Sequence, residues 1–254
     1  MKTCLVVPCY IRNQEDEHKL KRLIDSALQQ MQKFHSIIVV DDASPYSFNH
    51  YYKGIDYLQL QLNSGPANAR NKGIERALEC ESSFIFFSDH DCILCNDWSY
   101  KLTEFMNTYS YGAAGGLTLS YGKTLIDQFH DVNGTLNGRL ILPERRHLLY
   151  VPTCNFAISR MVAQIFRFDT RYRKAAGEDV DYCLQIRKKY PIGFCREAVV
   201  WHDFGYSNTL SGISKMISMF RKYKEANSLL YESYPEYFAN SWYESEAIDA
   251  RSCH

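Results

Sequence analysis

The chain has 254 residues, 46% apolar and 23% charged, which suits one large α/β domain, or a domain with a small appendage, and excludes extended disorder. Lys+Arg and Asp+Glu both total 29, for a formal net charge of zero, so nothing electrostatic points to nucleic acid and any phosphate site must be local. Nine irregularly spaced cysteines and no apolar run of about 18 residues predict reduced thiols and no membrane-spanning helix.

Thr3 to Val7 is a short apolar run closed by Pro8 and reads as a buried strand. It is too brief for the core of a signal peptide, so the chain is expected in the cytoplasm. Leu20, Leu23, Ile24, Ala27, Leu28 and Met31 repeat at helical spacing and predict a helix from about Asp16 to Lys33. Ile37 to Val40 reads as a second buried strand ending at Asp41-Asp42, and Asp56 to Leu62 alternates as a third. Gly65-Pro66 opens a helix to about Glu79, with proline in the first turn where its missing N–H costs nothing. Phe84 to Phe87 is a fourth strand and runs into Ser88-Asp89-His90-Asp91. Strands alternating with helices predict βαβ units in a parallel sheet covered on both faces. Ligands of such sheets lie beyond the carboxyl ends of the strands, so both acidic clusters fall at the binding edge.

The second half is less regular. Ala113 to Leu119 and Tyr150 to Ile158 read as strands, and residues 120–148 as a turn-rich stretch with hairpin signals at Asn133-Gly134 and Asn137-Gly138. A helix follows Gly177, Ala198 to Trp201 is a final strand ending at His202, and Ser211 to Tyr231 is helical with Ile213, Met216, Ile217, Phe220 and Tyr223 on one side.

Asp89 and Asp91 are carboxylates two residues apart on a chain leaving a sheet, a spacing that lets them face one divalent cation, Mn²⁺ or Mg²⁺, and a ribose hydroxyl. The plain alternative is an acidic turn that ends a strand. His202 offers a neutral imidazole to the same metal; taken alone, it reads better as a histidine satisfied by a backbone carbonyl. His90 is expected to point away, because neighbours on an extended chain face opposite sides. Glu178-Asp179-x-Asp181 opens a helix, where acidic groups favour the dipole, or supplies a carboxylate base for an acceptor hydroxyl. The stretch from Asn63 to Gly73 offers an anion free N–H groups, Arg70 and Lys72, or is simply a capped helix. Asp41-Asp42 accepts hydrogen bonds from a base or ribose, or caps the turn that follows. Cys92-x-x-Cys95 lacks the partners a structural zinc needs. The glycine-rich dinucleotide, P-loop and nucleophile-elbow motifs do not occur.

Taken in order, six segments resemble the family 2 glycosyltransferases of the GT-A fold. They are Val6-Val7-Pro8-Cys9-Tyr10, Ile38 to Ser44, Asn63 to Gly73, Phe86 to Asp91, Phe168-Asp169 leading to Gly177-Glu178-Asp179-Val180-Asp181, and Val200-Trp201-His202. The resemblance spans about Thr3 to His202. It implies an α/β, GT-A type fold: a mainly parallel central sheet with helices on both faces, plus a C-terminal helical extension. Residues 1–205 would be the catalytic domain, with 1–118 the nucleotide-sugar-binding half and 119–205 the acceptor half, and 206–254 the extension. It implies that Pro8 and Tyr10 line the nucleobase pocket, that Asp42 holds the base or ribose, and that Arg70 lies near the nucleotide. Asp89 would bind ribose or support the metal, Asp91 and His202 would bind the metal, and Asp179 would be the base of an inverting reaction, with Glu178 helping to hold the acceptor. Three positions depart from the pattern. Ile11 replaces the usual Asn, Thr170 stands where an acidic residue often follows Phe-Asp, and no Gln-x-x-Arg-Trp follows His202, which argues for a non-processive enzyme.

The expected activity is therefore metal-dependent transfer of a hexosyl or N-acetylhexosaminyl group from a nucleotide-sugar, UDP-linked by first choice, to an acceptor hydroxyl. The alternatives are a sugar-phosphate nucleotidyltransferase, whose Gly-rich basic loop Tyr10-Ile11-Arg12-Asn13 does not supply, and a non-catalytic nucleotide-sugar-binding scaffold. The expected acceptor is a glycan, a lipid-linked compound or a small molecule, and residues 120–148 and the C-terminal helix are expected to shape its site. Met216, Met219 and Phe220, with Arg221, Lys222 and Lys224, are expected to pack on the catalytic domain or form a homodimer contact, with peripheral contact at the inner face of the membrane as their second use.

Overall fold

The computed structural model describes residues 1–48, 52–142, 146–238 and 245–250. Its centre is set by apolar runs that bury both of their faces. β1 (Thr3–Cys9), buried along its whole length, pairs in parallel with β2 (Ser36–Asp41) on one side and β4 (Phe84–Phe87) on the other, and β3 (Ile55–Gln59) adds to β2. Past β4 come β8 (Phe156–Ser159), β6 (Ala113–Ser120), β9 (Ile192–His202) and β5 (Cys92–Leu94), in the order β3-β2-β1-β4-β8-β6-β9-β5. Only β8 and β5 run against the direction of the others in this sheet. The carboxyl ends of β1, β2, β4 and β9 therefore share one edge, the edge where a ligand has access to loops.

Both faces of the sheet are covered. α1 (Gln14–Leu28) and α3 (Trp98–Thr108) close one face, where Leu5, Val7 and Phe86 pack with Leu23 and the fully buried Trp98. α2 (Pro66–Glu79), α5 (Arg160–Ile165) and α6 (Glu178–Arg187) close the other, where Val6, Ile38 and Phe87 pack with Ile74, Val162 and Tyr182. Each large apolar side chain so buried contributes about 1.5–3 kcal/mol. α4 (Leu125–Asn133) follows β6. β7 (Arg139–Ile141) and β10 (Ser245–Ala247) form a separate antiparallel pair. The C-terminal helix α7 (Leu210–Ser233) docks through Ala226 and Leu230 on Tyr172, Val180 and Leu184. No helix among the described residues is long and apolar enough to cross a membrane.

The expected α/β architecture, with its mainly parallel sheet covered on both faces and its C-terminal helix, is present. Several boundaries differ. α1 stops at Leu28 rather than Lys33, because the Gln30 amide and the Met31 N–H turn aside to bond the Cys95 and Asn96 carbonyls at 2.7 Å each. Asn133-Gly134 is no hairpin. Gly134 takes the left-handed C-cap position of α4, whose start carries a full Thr124/Asp127 capping box. Tyr150 to Ile158 breaks into a 3₁₀ turn at Thr153–Asn155 before β8 begins. The strand ending at His202 begins earlier, at Ile192, and is not the final one, since β10 follows. Residues 143–145 of the turn-rich stretch, and 239–244 and 251–254 of the extension, lie outside the described residues.

Candidate active site

β1 and β2 end side by side, and their ends are fixed by hydrogen bonds. The Asp42 N–H donates to the Cys9 carbonyl at 2.9 Å. Ala43 then adopts φ 56°, a left-handed conformation unusual without glycine. The turn sends the two carboxylates apart. Asp41 accepts from the Ser44 N–H at 2.9 Å and from its hydroxyl, while Asp42 accepts from the Ser64 N–H at 2.9 Å and the Gly65 N–H at 2.8 Å. Asp42 is thus a remote cap on the opening of α2, and it already occupies N–H groups expected to be free for an anion. Burial pushes its carboxyl above the ordinary range, and the two N–H groups work against that. Gly65 is required there. Its φ is +90°, and an added Cβ would lie 2.5 Å from the Arg173 carbonyl oxygen.

Arg70, on α2, is 3% exposed. It donates to Asp89 Oδ1 at 2.7 Å and to Glu178 Oε1 at 2.8 Å. Burial opposes its charge, but the two carboxylates outweigh burial and hold the guanidinium protonated. Arg70 is therefore a buried tie between the end of β4 and the start of α6, with its positive charge already matched by two carboxylates. Lys72 pairs with Glu75 on the exposed side of the same helix.

Asp91 and His202, far apart in sequence, are brought together by the antiparallel pairing of β5 with the end of β9. Cys92 stands opposite His202, and the Asp203 N–H donates to the Asp91 carbonyl at 2.9 Å. His202 Nε2 lies 3.4 Å from Asp91 Oδ1. Asp91 Oδ1 and His202 Nδ1 are both buried and make no hydrogen bond among the described residues. Burial pushes the Asp91 carboxyl up, but His202, His90 and Lys19 outweigh it and hold the group below its ordinary value, ready to carry charge. The ligand atoms of Asp91, Cys92 and His202 lie within 4.8 Å of one another. Cys92 was not foreseen. Burial, then Cys154, holds its thiol protonated, which leaves an oxygen and a nitrogen donor, a set that fits Mn²⁺ or Mg²⁺ completed by phosphate oxygens. Below the imidazole, Phe204 stacks on His130 at 4.5 Å and touches the His202 ring at the same centroid distance.

Pro8, Tyr10, Asp42, Arg70, Asp89, Asp91 and His202 all line one cavity of about 350 Å³. His90 lines it too, because residues 90–91 form a turn rather than extended chain and strict alternation does not apply. Arg173, also unforeseen, closes the rim; its only sequence signal was the basic run Arg171 to Lys174. Beyond His90, Asp91 and His202 the space continues as a second cavity of about 550 Å³ between α1 and α7, lined by Arg12, Lys19, Lys215 and Lys222.

Glu178 and Asp179 do not line the first cavity. Glu178 is buried behind Arg70, and burial raises its carboxyl against the pull of the guanidinium. Asp179 is raised to about 7, first by burial and then by Glu178. It lies on the side covered by α7. The Tyr223 hydroxyl of that helix is raised by burial and then by the charges of Asp179 and Glu178. At Gly177 (φ +83°), an added Cβ would lie 2.8 Å from the Ala226 Cβ. Glycine thus lets α7 pack closely against the start of α6, beside Asp179.

A sequence model of the family described as Glycosyl transferase family 2 matches residues 4–166, a stretch that includes the first cavity's carboxylates and stops before Asp179 and His202. The succinoglycan biosynthesis protein ExoW of Rhizobium meliloti (strain 1021) is 25% identical over 219 residues, which is 78% of this chain and 67% of ExoW. Among solved structures, residues 1–349 of S. aureus TarS superpose with a TM-score of 0.59 at 18% identity, over 80% of this chain and 61% of that one. The same TarS fragment in complex with UDP-GlcNAc gives a TM-score of 0.59 at 16% identity, over 80% and 58%. The chain thus spans about three fifths of the TarS fragment it resembles.

Proposed function

The chain belongs to glycosyl transferase family 2, and from that premise we propose that it moves a sugar from a nucleotide diphosphate, UDP by first choice, to an acceptor hydroxyl with inversion at the anomeric carbon. TarS, similar in fold, is described in complex with UDP-GlcNAc, and the first cavity, of about 350 Å³, offers polar groups to such a donor. Pro8 and Tyr10 flank the base. Asp42 offers the lone pairs its backbone donors leave free, and Asp89, 29% exposed at its side chain, meets the ribose. A divalent cation held by Asp91 and His202 would supply positive charge to the departing diphosphate. Lys215 and Lys222 reach the same region from α7. Lys215 donates to the Phe204 and Gly205 carbonyls and has no carboxylate partner among the described residues.

Asp179 takes the proton of the acceptor hydroxyl. The oxygen bonds to the anomeric carbon from the face opposite the diphosphate. The carbon–oxygen bond to the diphosphate breaks, and its electron pair leaves with the nucleotide. The raised carboxyl of Asp179, near 7, is matched to a base that works near neutral pH. Glu178, held by Arg70, helps to hold the acceptor beside Asp179, whose carboxyl its charge helps to raise. The observation that carries this reading is the Arg70 tie, which joins the ribose-side carboxylate to the helix bearing the base.

Calorimetric titration of UDP, GDP and CDP, each with Mn²⁺ and again with EDTA, tests it. Mn²⁺-dependent binding of one nucleotide supports the reading and names the base. No binding of any of them in either condition would leave a scaffold or a differently activated substrate.

A further inference from the structure

The face of α7 turned away from the domain is apolar. Leu210, Ile213, Ile217 and Phe220 recur at steps of three and four residues, which places them on one side of a helix. They are 84%, 45%, 45% and 46% exposed. The inward side of the helix is made by other residues: Gly212, Ala226 and Leu230 are buried, and Met219 lines the second cavity. The ridge is therefore no part of the core; of the residues expected to pack on the catalytic domain or form a homodimer contact, Phe220 faces outward while Met219 lines the second cavity. Leu125, 73% exposed, extends it at the start of the helix, where its N–H donates to Asn208 Oδ1 at 3.1 Å. A contiguous apolar ridge in solvent marks a surface that meets something.

Its charge identifies the partner. Over its length, Leu210–Ser233, the helix carries Lys215, Arg221, Lys222 and Lys224 against Glu225 and Glu232, an excess of positive charge in a chain whose net charge is zero. Lys215 and Lys222 turn to the cavity. Arg221 and Lys224 flank the ridge, and neither has an ion pair among the described residues. A second copy of the chain docked through the same face by twofold symmetry would set one net-positive helix against another, with no gain in charge complementarity. An anionic lipid surface complements both features, taking the apolar side chains at the headgroup boundary and the cations at the phosphates.

We propose that this face of α7 docks the protein on an anionic membrane surface. The inference is independent of the donor reading, since lipid binding needs neither nucleotide nor metal.

Flotation of the full chain with vesicles tests it, using phosphatidylcholine alone or with roughly a third phosphatidylglycerol. The wild type is expected to float with the anionic vesicles at least about fivefold more than with the neutral ones, and to lose that preference in high salt. Ile217→Ser with Phe220→Ser weakens binding about tenfold or more, and Arg221→Glu with Lys224→Glu removes the anionic preference. All four side chains are exposed, so both variants keep the wild-type circular dichroism, thermal midpoint and UDP titration. The lipid and salt arms on the wild type decide the matter even without the variants. Failure of the wild type to float with either vesicle overturns the proposal. So does equal flotation of the serine variant, or a wild-type dimer that the serine variant converts to a monomer with no flotation of either, which would assign the ridge to a second copy.

Discussion

Arg70 holds Glu178 at 2.8 Å through one guanidinium nitrogen and Asp89 at 2.7 Å through another, with almost no solvent around it. The end of the fourth strand and the start of the sixth helix are thereby one rigid unit. Removing one partner of a buried pair leaves an uncompensated charge, at a cost of about 3–5 kcal/mol. Arg70→Ala should lower stability by that order in urea unfolding. Arg70→Lys, which cannot span both carboxylates with a fixed fork, should fall between it and the wild type. An alanine variant within about 1 kcal/mol of the wild type would mean that the carboxylates find other partners.

The titration of Asp179 gives opposite signs for activity and stability. Its folded value, about 7, lies above its ordinary 3.8. The folded chain therefore holds a proton that the unfolded chain has lost between those values. The stability this contributes is complete below 3.8 and is lost as pH rises through about 7. The basic form grows over that upper step, so turnover should rise with pH through about 7 while the thermal midpoint falls. A pH–rate profile and melting curves across the same range check both slopes.

How far the sequence reveals this site depends on what holds each part. β1, β2, β4 and the opening of α2 are readable because a continuous apolar run leaves one local solution, although β1 runs on through Pro8 to Cys9, where it pairs with Val40 and Asp41. Their ends bring Asp42 and Asp89 to the expected edge. Asp91 and His202 are readable as a pair only through the family resemblance, since nothing local announces that residues 92–94 pair with the end of β9. Cys92 is missed for the same reason, as its neighbour across the ladder is invisible in one dimension. The N–H groups of Ser64 and Gly65 look free until Asp42 arrives from another strand. The Asn-Gly signal at 133–134 misleads because a left-handed glycine serves a hairpin turn and a helix C-cap equally, although the capping box at Thr124 and Asp127 was there to read. In α7 the apolar spacing gives the helix but not which side is buried, because the helix carries apolar residues both inward, at Ala226 and Leu230, and outward, at Ile213, Ile217 and Phe220.

Asp91→Asn and His202→Ala should separate binding from packing. Both are expected to reduce the difference between Mn²⁺ and EDTA titrations of UDP by about tenfold or more. His202→Ala also removes a ring packed 4.5 Å from Phe204 and should cost about 0.5–1.5 kcal/mol, whereas Asp91→Asn should leave stability almost unchanged. Titration and melting of the two variants side by side test this.

Gly177→Ala tests how closely α7 covers Asp179. The φ of +83° strains any side chain, and the new Cβ would meet that of Ala226 at 2.8 Å. A loss of about 1–3 kcal/mol is expected, together with faster proteolysis in the 203–209 loop that leads into the helix. Unchanged proteolysis and stability would mean that α7 yields without cost.

The central claim, that Asp179 is the base, is tested most directly by Asp179→Asn. Release of UDP from a UDP-sugar in Mn²⁺ would be timed for wild type and variant, with UDP affinity measured in parallel. The account predicts a rate lower by about a hundredfold or more with UDP affinity unchanged. A variant that turns over as fast as the wild type would contradict it.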